Sequence, residues 1–319
     1  MPLGRINKPA IIFLHVMRRI REPRFLRSDG KPNFENRIYE AEPELEKIMN
    51  SRPVTIPRRD TVGDLLKLMS ESGYRRIPVV SGDNMLAGIV TATDVVNYFG
   101  GGSLNLIVRE RHKMNIFKAY NERVERIMSE PAIHAELSEK IRDIVEKMYR
   151  YNVGGLPVTY QGRVVGFVSE KDVVAYFRDE LEGRVSEHMS EDVAGIGYAD
   201  TLLEAMRRIV ETGYRRLVVF SGDKAIGVIS AMDIVRYLAS EKPFQRAVNG
   251  RLEEAVSVSV SDVASPEIIS IEDTASLAEA FDAMSRNGVG MLLVRNREGK
   301  IRGVITERDL LNALALARG

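Results

Sequence analysis

The 319-residue chain has no cysteine. Disulfides, thiolate zinc sites and cysteine nucleophiles are therefore excluded, and a reducing cytoplasm is the expected compartment. Histidine is scarce: His15, His112, His134 and His188 are scattered, which argues against a histidine metal centre. Long apolar runs are missing as well. The longest near the start, "AIIFLHVM" (10–17), falls far short of the roughly 20 residues a membrane span requires. Basic residues flank it on both sides and no small-residue cleavage site follows, so no signal peptide is expected. Catalytic signatures are absent too. There is no G-x-x-x-x-G-K-[ST] and no H-E-x-x-H, and "EGKI" at 298–301 reads as a hairpin turn. The pairs Glu170/Asp172 and Glu307/Asp309 lie two apart at helix starts and diverge in direction. Neither an enzyme nor a catalytic cofactor is expected.

The chain is 44% hydrophobic and 29% charged, enough for a substantial core in a soluble protein of about two domains. The net charge of +1 is unevenly spread. Residues 1–28 hold Arg5, Lys8, Arg18, Arg19, Arg21, Arg24 and Arg27 against Glu22 alone, a charge of +6 that leaves −5 on the remainder. Three readings of this extension (1–47) stand side by side. It could strap onto the body, lie on a membrane surface, or tether the chain to RNA or the ribosome. In the last reading Phe13, His15 and Phe25 are interleaved with the cations. An acidic body would be repelled by RNA, so attachment would concentrate on those seven basic residues.

The pentapeptide "SGYRR" (72–76) returns as "TGYRR" at 212–216, and its surroundings return with it. Residues 72–99 align with 212–238, and 151–177 align with 287–314. The chain thus holds four units in the order A-B-A′-B′, spanning 48–100, 127–180, 188–240 and 261–316. Each reads β-α-β-β-α, a mixed α/β (α+β) unit of about 50–60 residues that is marginal alone. In the first unit Val62, Leu65, Leu66 and Met69 fall at helical spacing behind Asp60, the expected N-cap. "RIPVV-SGDN-MLAGIV" and "GLPVTY-QG-RVVGFV" read as hairpins. Pairing each A with its B gives modules at 48–180 and 188–319. "GGGSLN" (100–105) reads as a flexible break, followed by a charged helical connector to residue 126.

After its last strand every unit writes Gly, two apolar residues, Ser or Thr, two variable residues, then Asp: "GIVTATD", "GFVSEKD", "GVISAMD" and "GVITERD". The pattern is close to a capping box, in which the hydroxyl and carboxylate satisfy the first turn of a helix. It equally describes an anion site with a carboxylate suited to vicinal ribose hydroxyls.

These four copies resemble CBS domains, and each A-B pair resembles a Bateman module of two CBS repeats about a pseudo-two-fold. The resemblance covers residues ~48–315. It implies adenine nucleotides (AMP, ADP or ATP) as regulatory ligands. It also implies that Asp94, Asp172, Asp233 and Asp309 hold ribose and that Thr91, Ser169, Ser230 and Thr306 hold phosphate. The residues before each Asp (Thr93, Lys171, Met232, Arg308) face the cleft. The family's base-end position in the first strand falls on Thr55, His134, Gly195 and Ser270, so only the first unit has the usual Thr. In members similar to the gamma subunit of AMP-activated kinase, basic residues just before the second strand reach phosphates. Here those are Arg75, Arg76, Arg215 and Arg216, with one of each pair expected only to solubilise a strand end. The resemblance also leaves open a protein partner, kinase-gamma-like, or a second copy of the chain.

Overall fold

The computed structural model describes residues 44–315. The basic positions Arg5, Lys8, Arg18, Arg19, Arg21, Arg24 and Arg27 lie outside the described residues.

Unit 1 runs β1 (Ile56–Pro57), α1 (Val62–Ser72), β2 (Arg76–Ser81), β3 (Met85–Thr91) and α2 (Ala92–Gly100). A connector carries the short α3 (Ile116–Tyr120). Unit 2 follows with β4 (Ala135–Glu136), α4 (Ile141–Arg150), β5 (Gly155–Tyr160), β6 (Arg163–Ser169) and α5 (Glu170–Tyr176). After the short α6 (Val185–His188), unit 3 has β7 (Gly195–Gly197), α7 (Leu202–Thr212), β8 (Arg216–Ser221), β9 (Lys224–Ser230) and α8 (Ala231–Ala239). The helices α9 (Lys242–Arg246) and α10 (Leu252–Val256) lead to unit 4. Its elements are β10 (Ser270–Glu272), α11 (Leu277–Arg286), β11 (Met291–Arg295), β12 (Ile301–Thr306) and α12 (Glu307–Ala315).

Local chemistry accounts for the boundaries. The N-cap of α1 is Thr61 rather than Asp60, because Thr61 and Asp64 form a capping box. The glycines of the repeated pentapeptides, Gly73 and Gly213, close α1 and α7 in the left-handed region, at φ 72° and 73°. They aim the following Tyr-Arg-Arg back toward the sheet. In the unit 2 hairpin, Gln161 and Gly162 both take positive φ, as a tight two-residue turn demands.

In every unit the short first strand runs parallel to the second, which pairs antiparallel with the third. Units 1 and 2 join into one sheet of order β1-β2-β3-β6-β5-β4 through Met85 and Arg163. The segment leading into each unit crosses the last strand of its neighbour: Asn50 on Phe167, Ser129 on Ile89, Ser190 on Val304 and Ser265 on Val228. These crossings explain the first residue of the repeated motif. A Cβ on Gly88, Gly227 or Gly303 would collide with the backbone oxygen of Ser129, Ser265 or Ser190, and one on Gly166 with Met49.

The apolar cores run the other way. One joins unit 1 to unit 3, packing Leu66, Met69, Val95 and Phe99 with Met206, Ile209, Val235 and Leu238. The other joins unit 2 to unit 4, with Ile144, Met148 and Val173 against Met284, Leu310 and Leu311. Each fully buried side chain of this size contributes about 1.5–3 kcal/mol. The stretch 100–105, expected as a flexible break, is anchored to the first core at both ends. Gly100 sits where a Cβ would strike Met206, Leu104 and Asn105 are buried, and Asn105 Nδ2 donates to Tyr98 O at 2.7 Å.

Candidate functional site

The four motif helices begin as the capping reading requires. Asp94 Oδ2 accepts from Thr91 N at 2.9 Å, while Thr91 Oγ1 accepts from Asp94 N at 3.2 Å. Ser169/Asp172 and Ser230/Asp233 repeat the arrangement, and Thr306 N and Oγ1 donate to Asp309 Oδ2 at 2.8 and 2.6 Å. The cap therefore engages one oxygen, Oδ2, of each carboxylate. On Asp233 the other oxygen accepts from Arg236 at 3.0 Å.

Three of the four motifs open into one cavity of about 1590 Å³. Thr91, Thr93 and Asp94 line it from unit 1, Ser169, Lys171 and Asp172 from unit 2, and Ser230, Met232 and Asp233 from unit 3. Of the unit 4 motif only Glu307 reaches the lining; Thr306, Arg308 and Asp309 do not. The first-strand position is also displaced. Val54, Ile133 and Ile269 line the cavity, and Thr55, His134, Gly195 and Ser270 do not. Successive side chains of an extended segment point to opposite faces, so a one-residue offset exchanges polar for apolar.

All four arginines of the repeated pentapeptides, Arg75, Arg76, Arg215 and Arg216, line this same cavity, so none serves only to solubilise a strand end. They meet two glutamates in a pseudo-symmetric arrangement. Arg75 Nη2 donates to Glu307 Oε2 at 2.5 Å, and Arg216 lies over Gly290 beside the same glutamate. Arg215 Nη1 lies 4.0 Å from Glu170 Oε2, and Arg76 lies over Gly154 beside that glutamate. A Cβ on Gly154 or Gly290 would enter these groups, so a glycine at each strand entry makes the room. In the sequence Glu170 and Glu307 stood out only as pairs with Asp172 and Asp309, not as partners for the arginines. The signal was reciprocal: the B units carry Glu where the A units carry Ala92 and Ala231, and the A units carry Arg where the B units carry Gly154 and Gly290.

Arg308 is spent elsewhere. It forms an ion pair with Glu170, its Nη2 donates to Val153 O at 3.0 Å, and its guanidinium lies over the Tyr149 ring at 5.3 Å. Tyr149 in turn donates to Asn312 Oδ1 at 2.6 Å. This latch ties unit 4 to the end of α4 in unit 2.

Burial and mutual repulsion hold Arg76 well below the ordinary guanidinium range, and burial lowers Arg215 and brings Arg216 to about 10. Arg215 exposes 41% of its side chain, toward the cavity it lines. Burial pushes Glu170 upward, yet Arg308, Arg215 and Arg76 outweigh it and hold the carboxyl below its usual value. Glu170 and Glu307 thus face five arginines, while Asp94, Asp172 and Asp233 add carboxylates to the same cavity.

Burial raises Asp309 to about 6 despite its hydrogen bonds to Thr306. An acid whose folded value exceeds its unfolded value of 3.8 stabilises the fold below pH ~4 and loses that contribution as pH rises through ~6. Asp309→Asn is therefore expected to flatten the decline in stability between pH 4 and 7, by up to about 3 kcal/mol. Denaturant midpoints across that range, variant against parent, would show it. Parallel pH profiles would refute the assignment.

The chain belongs to the CBS-domain family: residues 45–101, 124–179, 185–240 and 260–316 each match the CBS domain. Among similar proteins is MJ1225 of Methanocaldococcus jannaschii, 30% identical over 270 residues, covering 83% of this chain and 96% of the relative. Its crystal structure, described as that of a proposed archaeal homolog of g-AMPK, superposes with a TM-score of 0.81 over 86% of this chain and 100% of that one. A 33.4 kDa protein of the ribosomal RNA operon of Thermofilum pendens is 29% identical over 266 residues, covering 83% of this chain and 88% of the relative.

Proposed function

We propose that the protein is a non-catalytic regulator that senses adenine nucleotides in its CBS clefts. One observation carries the reading: four arginines from opposite modules converge in a single cavity that the cap carboxylates of three units also line. Guanidinium groups suit bidentate phosphate contacts. Asp94, Asp172 and Asp233 suit ribose hydroxyls, and Val54, Ile133 and Ile269 offer apolar surface for a base. Thr91, Thr93, Ser169, Lys171 and Ser230 supply further polar contacts, while Arg308 stands apart in the latch and Asp309 in its helix cap. The likeness to a structure described as a g-AMPK homolog supports the same reading. In it the output would pass to a macromolecular partner, either a protein in the kinase-gamma manner or RNA.

Thermal shift and calorimetry with AMP, ADP and ATP test the proposal. A nucleotide at 100 times its dissociation constant is expected to stabilise the chain by about 2.7 kcal/mol. Silence toward all three would overturn the sensing role.

RNA or the ribosome as the partner is a second reading. It rests on the charge of +6 in residues 1–28 and on the relative encoded in a ribosomal RNA operon.

A further inference from the structure

Two connectors outside the repeats meet at the edge where units 1 and 3 join. Ile116 N donates to Gly250 O at 2.9 Å, Leu252 N donates to Met114 O at 2.8 Å, and Asn115 pairs with Arg251. The edge combines exposed rings with cations. Phe117 is 53% exposed and stacks on Phe244, with centroids 5.6 Å apart and planes 30° apart. Val248 is 85% exposed. Lys113, Lys118 and Lys242 are exposed around them, as is Arg246, which lies 3.9 Å from Asp262. Residues 105–126 carry a charge of +3 and residues 240–251 carry +2, whereas residues 178–192, at the junction of units 2 and 4, carry −4. The body is therefore not uniformly repellent to polyanions, contrary to the expectation from its summed charge.

We propose that this edge binds single-stranded RNA, a base stacking on the open face of Phe117 while the surrounding cations follow the phosphates. An exposed ring within a basic field is the combination that single strands use, because every base offers a π-face. An acidic peptide would match the charge but leave the ring face without a stacking partner. The basic segment 1–28 has the same sign as this edge, so charge does not favour it as the occupant. The inference stands apart from the nucleotide clefts.

The test uses the full chain and a fluorescein-labelled 20-residue oligouridylate, with anisotropy followed across salt concentrations. Phe117→Ala is expected to weaken binding at least about fivefold with the salt slope unchanged. Lys113→Ala with Lys118→Ala is expected to reduce the slope of log affinity against log salt by about 1.4. A parallel full-length variant, with Arg18, Arg19 and Arg21 changed to Gln, reads the contribution of the N-terminal segment separately. If only that variant loses affinity, the edge proposal falls. It also falls if Phe117→Ala weakens binding of a polyglutamate peptide but not of the RNA, which would make an acidic protein the occupant. Unchanged denaturant midpoints of the edge variants show that they are folded, a readout independent of nucleotide binding, so failure here is distinguishable from failure of nucleotide sensing.

Discussion

Replacing Arg76 and Arg215 together with glutamine is expected to lower nucleotide affinity by at least about a hundredfold while making the unliganded chain more stable. The opposite signs have one cause. Each guanidinium lines the cavity beside other arginines, and their shared partner Glu170 is also paired with Arg308. Crowding such charges together costs free energy in the unliganded state, and neutralising them relieves it. A nucleotide's phosphates would supply the missing countercharge. Each lost charged hydrogen bond then forfeits about 1.5–3 kcal/mol of binding. Calorimetric titration and denaturant midpoints of the same preparations read both effects. If the variant binds as tightly as the parent, the phosphates do not lie at the centre. If it binds weakly but is also less stable without nucleotide, the arginines are structural.

Arg308→Ala is expected to destabilise the chain by about 3–5 kcal/mol, the scale seen when one partner of a buried pair is removed. Glu170 would be left with its side chain 3% exposed and its nearest remaining arginine at 4.0 Å. Glu170→Gln added to Arg308→Ala should recover part of the loss, because a neutral amide needs no countercharge. Urea unfolding of the parent, the single and the double variant closes the comparison. If the single variant is as stable as the parent, Arg215 suffices for Glu170 and the latch contributes nothing.

The repeated pattern made the four units legible, because each carries its own periodicity, caps and turns. Val62, Leu65, Leu66 and Met69 are all fully buried, as their spacing requires. The arginine doublets were legible as phosphate candidates because the sequence writes them twice. Periodicity tells which side chains are buried but not against what. The cores therefore join unit 1 to unit 3 and unit 2 to unit 4, where the chain order suggested only neighbours. Thr55 failed as a lining residue for a related reason: a two-residue strand offers too little alternation to assign its faces. Arg308 matched the family position and still left the cavity, because α4 offers it a carbonyl, a ring and a carboxylate together.

The contacts between units close into a circuit. A shared sheet joins 1 to 2, crossing segments join 3 to 4, and the two cores join 1 to 3 and 2 to 4. Such a circuit behaves as a four-bar linkage. A shift at one junction is opposed by the others, and residues of all four units line the cavity. A wedge of phosphates driven between the arginine pairs would thus be transmitted to the outer rim as a concerted adjustment of all four bars.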